Sequence, residues 1–150
     1  MISQYFKPEL TYSHINANSK KRALEKGANI ISQYTDGIHE EDIFESLIAR
    51  ERLGSTGIGK GIAIPHCRSD KISNITCCLI TLEEAVDFDA IDNNPVDILF
   101  LLVVPEQSCN QHLETLANLA KLMDNAEYRN KLRQANTNQE LFKYAVNMQE

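Results

Sequence analysis

Residues Gly54–His66, GSTGIGKGIAIPH, run from a glycine-dense segment through a short apolar stretch into a histidine. Such a segment suits phosphate chemistry, carried either by the loop or by the histidine. Gly54, Gly59 and Lys60 match the start of the nucleotide-binding pattern GxxxxGK[ST]. The position that should carry its hydroxyl is Gly61, so the magnesium ligand is missing. A P-loop also leaves a strand and opens a helix whose N-terminus holds the phosphates. Here the helix-like IFESLIARERL precedes the glycines, and Ile62, Ala63, Ile64 and Pro65 follow them. Ile followed by Pro reads as a strand that stops, not as a first helical turn. A P-loop enzyme is therefore a distant alternative, which nucleotide affinity requiring Lys60 would revive.

Working outward, Ser19 is placed to cap a helix through Tyr34 that buries Ala23, Leu24, Ala28, Ile31 and Tyr34 at helical spacing, with Gly37 ending the unit. Glu40, Glu41 and Asp42 suit the N-terminal end of a second helix. Its stripe is Ile43, Phe44, Leu47 and Ile48, and Gly54 is its stop. Strands are expected at Ile62–Ile64, Ile75–Leu82 and Val96–Val104, with a short one around Tyr12–Ile15. Val96–Val104 is nearly all apolar, as a central strand covered on both faces would be. Asp92–Pro95 carries a turn. Helices follow at His112–Met123, Ala126–Ala135 and Asn138–Asn147, the last opened by a Thr137–Glu140 capping box. The expected fold is α/β (or α+β), with a central mixed sheet, helices on both faces and a helical C-terminal region.

A chain of 150 residues fits one domain over 1–150. A net charge of −6 argues against nucleic acid or anionic membrane as the main partner. MISQYFKPEL lacks the basic start and long apolar run of a signal peptide. The longest apolar run, Ile98–Val104, is too short to span a bilayer, so a cytoplasmic location without membrane insertion is expected. Cys67, Cys77, Cys78 and Cys109 lack the spacing of a disulfide framework, and a reducing compartment fits them.

Three polar residues stand out. His66 follows a rigid proline, and Gly57, Gly59 and Gly61 free the approach of side chains and turn backbone N–H groups toward an anion. A neutral imidazole there is a nucleophile, against the bland reading of a loop histidine. His112 opens HLETLANLAKLM, whose expected buried face is Leu113, Leu116, Leu119, Ala120 and Met123. On spacing alone it is a surface residue near a cap; the functional reading is a donor to a phosphoryl oxygen at a helix N-terminus. Arg50 in IARERL reads as a solvated charge or as paired donors to phosphate oxygens. No CxxC or HxxxH pair supports a metal, and adjacent Cys77 and Cys78 on a strand point to opposite faces. No metal or other cofactor is expected.

GSTGIGKGIAIPH, preceded by ARERL, resembles the phosphorylation-site signature of type-2 enzyme IIA domains of the bacterial phosphotransferase system. FDAIDNNPVDILFLLVVPE and HLETLANLAKL resemble segments those domains carry downstream, and the match runs from SKKRALE to the last helix. The GSTGIG and FDAIDNNPVD forms look most like the nitrogen-related branch, enzyme IIA-Ntr. The resemblance implies that His66 accepts a phosphoryl group on Nε2 from the phosphohistidine of an HPr-like carrier (NPr). It also implies that His112 and Arg50 hold the phosphoryl oxygens, with Thr56 adding a hydroxyl or amide contact and Gly57 and Gly59 lending loop support. Cys67 stands where many members have glycine, which puts a thiol beside the site. The implied protein is a phosphotransferase acting as a regulatory phosphocarrier, with targets such as potassium transport or sensor-kinase systems and room for a weak homo-oligomer. A sugar-specific (fructose/mannitol-type) enzyme IIA of a transport system is the nearer alternative.

Overall fold

The computed structural model describes residues 2–107 and 109–147. After two short 3-10 turns come β1 (Thr11–Ile15), α1 (Lys20–Tyr34) and α2 (Glu40–Arg52). Six strands are completed by β2 (Gly57–Gly59), β3 (Ile62–Ala63), β4 (His66–Ser69), β5 (Thr76–Val86) and β6 (Val96–Pro105). Helices α3 (Cys109–Met123), α4 (Ala126–Gln134) and α5 (Asn138–Asn147) follow.

The helix ends obey their caps. Ser19 Oγ accepts from Arg22 N at 3.0 Å, opening α1. Asn125 accepts from Tyr128 N at 3.1 Å, opening α4. Thr137 Oγ1 accepts from Glu140 N at 3.0 Å, and Glu140 in return accepts from Asn136 N, one residue upstream of the ideal box. In α1 the buried face is Ala23, Leu24, Gly27, Ala28, Ile30 and Ile31. Tyr34, expected inside, is the last residue of the helix and is 40% exposed.

The sheet is mixed, ordered β1-β5-β6-β3-β2, with β4 also on β6. Strand β6 is the spine. It pairs antiparallel with β5 and parallel with β3 and β4. Its alternation splits the core: Leu99, Leu101 and Val103 pack under α1 and α2, while Ile98, Phe100, Leu102 and Val104 pack under the C-terminal helices. Fully burying each such side chain stabilises by roughly 1.5–3 kcal/mol, so β6 is the costliest strand to disturb. Cys77 and Cys78 fall in different core layers, as neighbours on one strand must.

One expectation is corrected here. The chain does not leave the sheet at Pro65. Ile62 lies opposite Ile98, Ala63 opposite Leu99, His66 opposite Leu102 and Ser69 opposite Pro105, all at one register on β6. β3 and β4 are one strand line interrupted at Ile64–Pro65. Proline cannot donate to the ladder, but its carbonyl still accepts from Leu102 N at 2.9 Å. The interruption ends at His66.

Candidate functional site

His66 opens β4, and strand alternation then decides its surroundings. Cys67 turns into the core layer beneath α1 and α2, leaving His66 half-buried in a cavity of about 450 Å³. The cavity is lined by Ser46, Arg50 and Leu53 from the α2 side, His66 and Arg68 from β4, and His112 from α3. Both imidazole nitrogens are engaged. Nδ1 is 2.8 Å from the Ile64 carbonyl oxygen. A carbonyl can only accept, so Nδ1 carries the proton and Nε2 presents its lone pair. Arg50 Nε–H donates to that nitrogen at 3.2 Å. Burial holds the imidazole below its ordinary 6.5; the Ile64 hydrogen bond opposes this, and the Arg50 charge adds to the lowering. The result is a neutral histidine in a single tautomer, with its nucleophilic nitrogen facing a guanidinium.

Arg50 reaches this position from the last turn of α2. One arm of its guanidinium donates to the Gly54 carbonyl at 2.8 Å, which holds the fork over the turn that ends the helix. Sequence reasoning offered Arg50 either as a solvated charge or as an anion donor. The structure brings it to His66.

His112 also comes to His66, and here the surface reading is corrected. Helix α3 starts at Cys109, so His112 lies about one turn inside it. The buried stripe runs His112, Thr115, Leu119, Met123, and Leu113, expected inside, is 66% exposed. His112 is 7% exposed, its ring centroid 5.1 Å from that of His66 and the planes inclined at 68°. Neither of its nitrogens has a hydrogen-bond partner among the described residues. Burial lowers its pKa, and the charges of His66, Arg68 and Arg50 push the same way. Leaving such a buried group unpaired costs on the order of 1–3 kcal/mol, a cost that an apolar side chain would not carry.

The glycine segment lies elsewhere. Thr56 is buried, its N–H donating to Glu51 Oε1 at 3.1 Å and its hydroxyl to Glu51 Oε2. Gly57 and Gly59 form β2 of a hairpin packed on the segment after β5. A Cβ on Gly57 would meet that of Ala90 at 2.8 Å, and Gly59 adopts φ +100°. The N–H of Gly57 goes to Ser55 Oγ at 3.0 Å and that of Lys60 to Asp92 Oδ2 at 2.9 Å. The Gly57 N–H is thus used within the hairpin, Gly57 is small where it packs on Ala90, Gly59 meets a positive φ, and neither lines the His66 cavity. A loop that leaves a helix and enters a hairpin also lacks the strand–loop–helix frame of a P-loop.

Arg68 escaped the sequence reading. Its signal was the period-2 alternation after His66, which returns it to the same face of β4. The Cys67 thiol is pushed up to about 12 by burial, so it is no thiolate at neutral pH. Among the described residues, no group of three or more His, Cys, Asp or Glu side chains is arranged to hold a metal; the side chain of Cys109 lies outside the described residues. No helix among the described residues is long and apolar enough to cross a membrane.

Residues 4–147 match the family model described as "Phosphoenolpyruvate-dependent sugar phosphotransferase system, EIIA 2". A nitrogen regulatory protein of Pseudomonas aeruginosa is 42% identical over 148 residues, covering 99% of this chain and 96% of its own. The crystal structure of the nitrogen regulatory protein IIA-Ntr from Neisseria meningitidis superposes with a TM-score of 0.88 at 34% identity, covering 96% of this chain and 98% of the other. The mannitol IIA of Escherichia coli shares the fold at a TM-score of 0.79 with only 16% identity, over 93% of this chain and 98% of its own.

Proposed function

The chain belongs to the type-2 EIIA family of the phosphoenolpyruvate-dependent phosphotransferase system, among its nitrogen regulatory proteins, and on that premise we propose that it is a cytoplasmic phosphocarrier that accepts a phosphoryl group on Nε2 of His66. The donor is the phosphohistidine of an HPr-like carrier (NPr), and the phosphorylation state is read by regulatory targets, with potassium transport and sensor-kinase systems as the class. The observation that carries this reading is the pair of contacts on the His66 ring, Nδ1 on the Ile64 carbonyl and Nε2 facing Arg50.

Transfer runs between two imidazoles. The His66 Nε2 lone pair attacks phosphorus as the donor's N–P bond breaks, and the donor nitrogen leaves with the electron pair. The proton stays on Nδ1, hydrogen-bonded to the Ile64 carbonyl throughout, so His66 needs no general base. As phosphorus arrives, the Arg50 guanidinium exchanges Nε2 for a phosphoryl oxygen. His112, whose ring nitrogens have no other partner among the described residues, donates to a second. Phosphoryl transfer depends on such positioning and charge stabilisation more than on covalent help from the protein. Arg68, exposed on the same face, adds positive potential. Phosphorylation adds about −1.5 to −2 charges and so cancels the positive charge of Arg50 and Arg68 at the mouth, a change that a target can read by repulsion or by new arginine contacts.

The test is incubation with phosphoenolpyruvate, enzyme I and an HPr-type carrier, followed by assay for acid-labile phosphate. Label is expected on the wild type and none on His66→Ala. Equal label on both would overturn the assignment.

A further inference from the structure

Both contacts on the His66 ring can be followed back to one residue that the proposed transfer step does not use, Glu51: the Nδ1 contact to its buried carboxylate and the Nε2 contact to its backbone carbonyl. The Nδ1–H donates to the Ile64 carbonyl at 2.8 Å, and the Ile64 N–H donates in turn to the Thr56 carbonyl at 3.0 Å. Thr56 is gripped by Glu51 through both its N–H and its hydroxyl. On the other side, Nε2 accepts from Arg50, whose second arm is tied to the Gly54 carbonyl. Gly54 N–H returns to the Glu51 carbonyl at 3.1 Å. The two paths leave the imidazole in opposite directions and close on adjacent residues, Arg50 and Glu51.

We propose that Glu51 is a positioning residue that fixes the tautomer and orientation of His66 by clamping Thr56 and the turn after α2; this rests on the reading of His66 as phosphoacceptor.

Glu51 is built for that task. It is 7% exposed, and Lys20 Nζ pairs with it at 2.9 Å while also lying 4.9 Å above the Phe88 ring. Oε1 therefore accepts from two donors and Oε2 from a third. A carboxylate so fully used cannot swing, and Thr56 cannot leave it without exposing two buried donors. Thr56 then holds Ile64 at a fixed height beside β3, and Ile64 presents its carbonyl to Nδ1. Residue 51 also follows Arg50 directly, so a loosened turn frees the guanidinium as well. The charge of Glu51 reaches the ring and raises the His66 pKa, which supports the same proximity.

The experiment compares Glu51→Gln, Glu51→Asp and Thr56→Val with the wild type by nitrogen-15 chemical shifts of the His66 ring at pH 7.5, alongside the rate of phosphoryl uptake. The wild type is expected to show a protonated Nδ1 and an unprotonated Nε2. Glu51→Gln is expected to give a mixture of tautomers and uptake slowed about 10–100-fold, with Glu51→Asp between it and the wild type. Should Glu51→Gln not fold, Thr56→Val removes only the hydroxyl link and is expected to show the same mixture to a lesser degree. A wild-type tautomer and wild-type rate in a folded variant would overturn the proposal. The ring shifts need no phosphate donor. If wild-type His66 takes no phosphate while its tautomer still depends on Glu51, the phosphoacceptor reading fails and the positioning role stands.

Discussion

Arg50 Nε lies 3.2 Å from Nε2 of His66, and that contact ties the charge state of the imidazole to the guanidinium. Burial lowers the pKa of His66 from 6.5, and the neighbouring cation lowers it further. The midpoint of the acid limb of phosphoryl uptake is therefore expected to lie below pH 6.5, as the ring protonates. Arg50→Gln removes the cation, so its acid limb should move to higher pH. It should also slow uptake about 10–100-fold, roughly 1.4–2.7 kcal/mol of lost charge stabilisation. A pH–rate profile on both proteins decides; an acid limb that stays in place would mean that Arg50 does not set the His66 charge.

His112 carries a penalty in the resting fold, because both its nitrogens are buried without partners among the described residues. His112→Leu keeps the packing against the α3 face and removes that penalty. The variant is expected to be more stable by about 1–2 kcal/mol and to transfer phosphate about 10-fold more slowly. Thermal unfolding and single-turnover transfer measured together check the trade. A less stable variant with normal transfer would make His112 a packing residue.

How much of this was legible in the sequence follows from how local each feature is. The Ser19 and Thr137 caps set helix starts within a turn, so α1 and α5 could be read directly. Strand β6 announced itself because both its faces are buried. β2 and β4 could not be read that way, being three and four residues long, and β4 is held in place by β6, a partner far away in sequence. The buried face of α3 went astray for another reason: the apolar residues pointed to a face containing Leu113, whereas the buried one carries the polar His112 and Thr115 beside Leu119 and Met123. The glycines could not be assigned by spacing, because a tight hairpin and an anion nest call for the same residue. Glu51 gave no signal at all, since a buried carboxylate at the end of a charged helix looks like any other until its partners are seen.

Acid should weaken the fold through the same pair. The folded-state pKa values of His66 and His112 both lie below 6.5, the ordinary imidazole value. As pH falls below 6.5 the unfolded chain binds protons that the folded chain resists, so stability declines until both rings protonate in the fold as well. Well above 6.5 both rings are neutral in either state, so they add no pH dependence to stability. Asp92 has its pKa lowered from 3.8, so its contribution is lost only at more acid pH and stays outside this window. Urea midpoints at pH 7.5, 6.5 and 5.5 are expected to drop across the lower interval. The double variant His66→Gln/His112→Leu should flatten that drop, and an unchanged slope would assign the acid sensitivity to other groups.

Gly57→Ala separates a packing glycine from an anion-binding one. The backbone at Gly57 is not in the left-handed region, so alanine adds no conformational strain there. What it adds is a Cβ 2.8 Å from the Cβ and 3.0 Å from the Cα of Ala90, a backbone contact that cannot rotate away. Either the β2–β3 hairpin or the segment carrying Ala90 must shift, at a cost of about 1–3 kcal/mol. For a chain of this size that lowers Tm by roughly 2–4 °C per kcal/mol. Well below the midpoint, phosphoryl uptake is expected to stay within about two-fold of wild type, because Gly57 is not among the residues lining the His66 cavity. A glycine that offered its N–H to the phosphoryl group would behave in the opposite way, losing uptake with an unchanged Tm, and that outcome would restore the loop to the site.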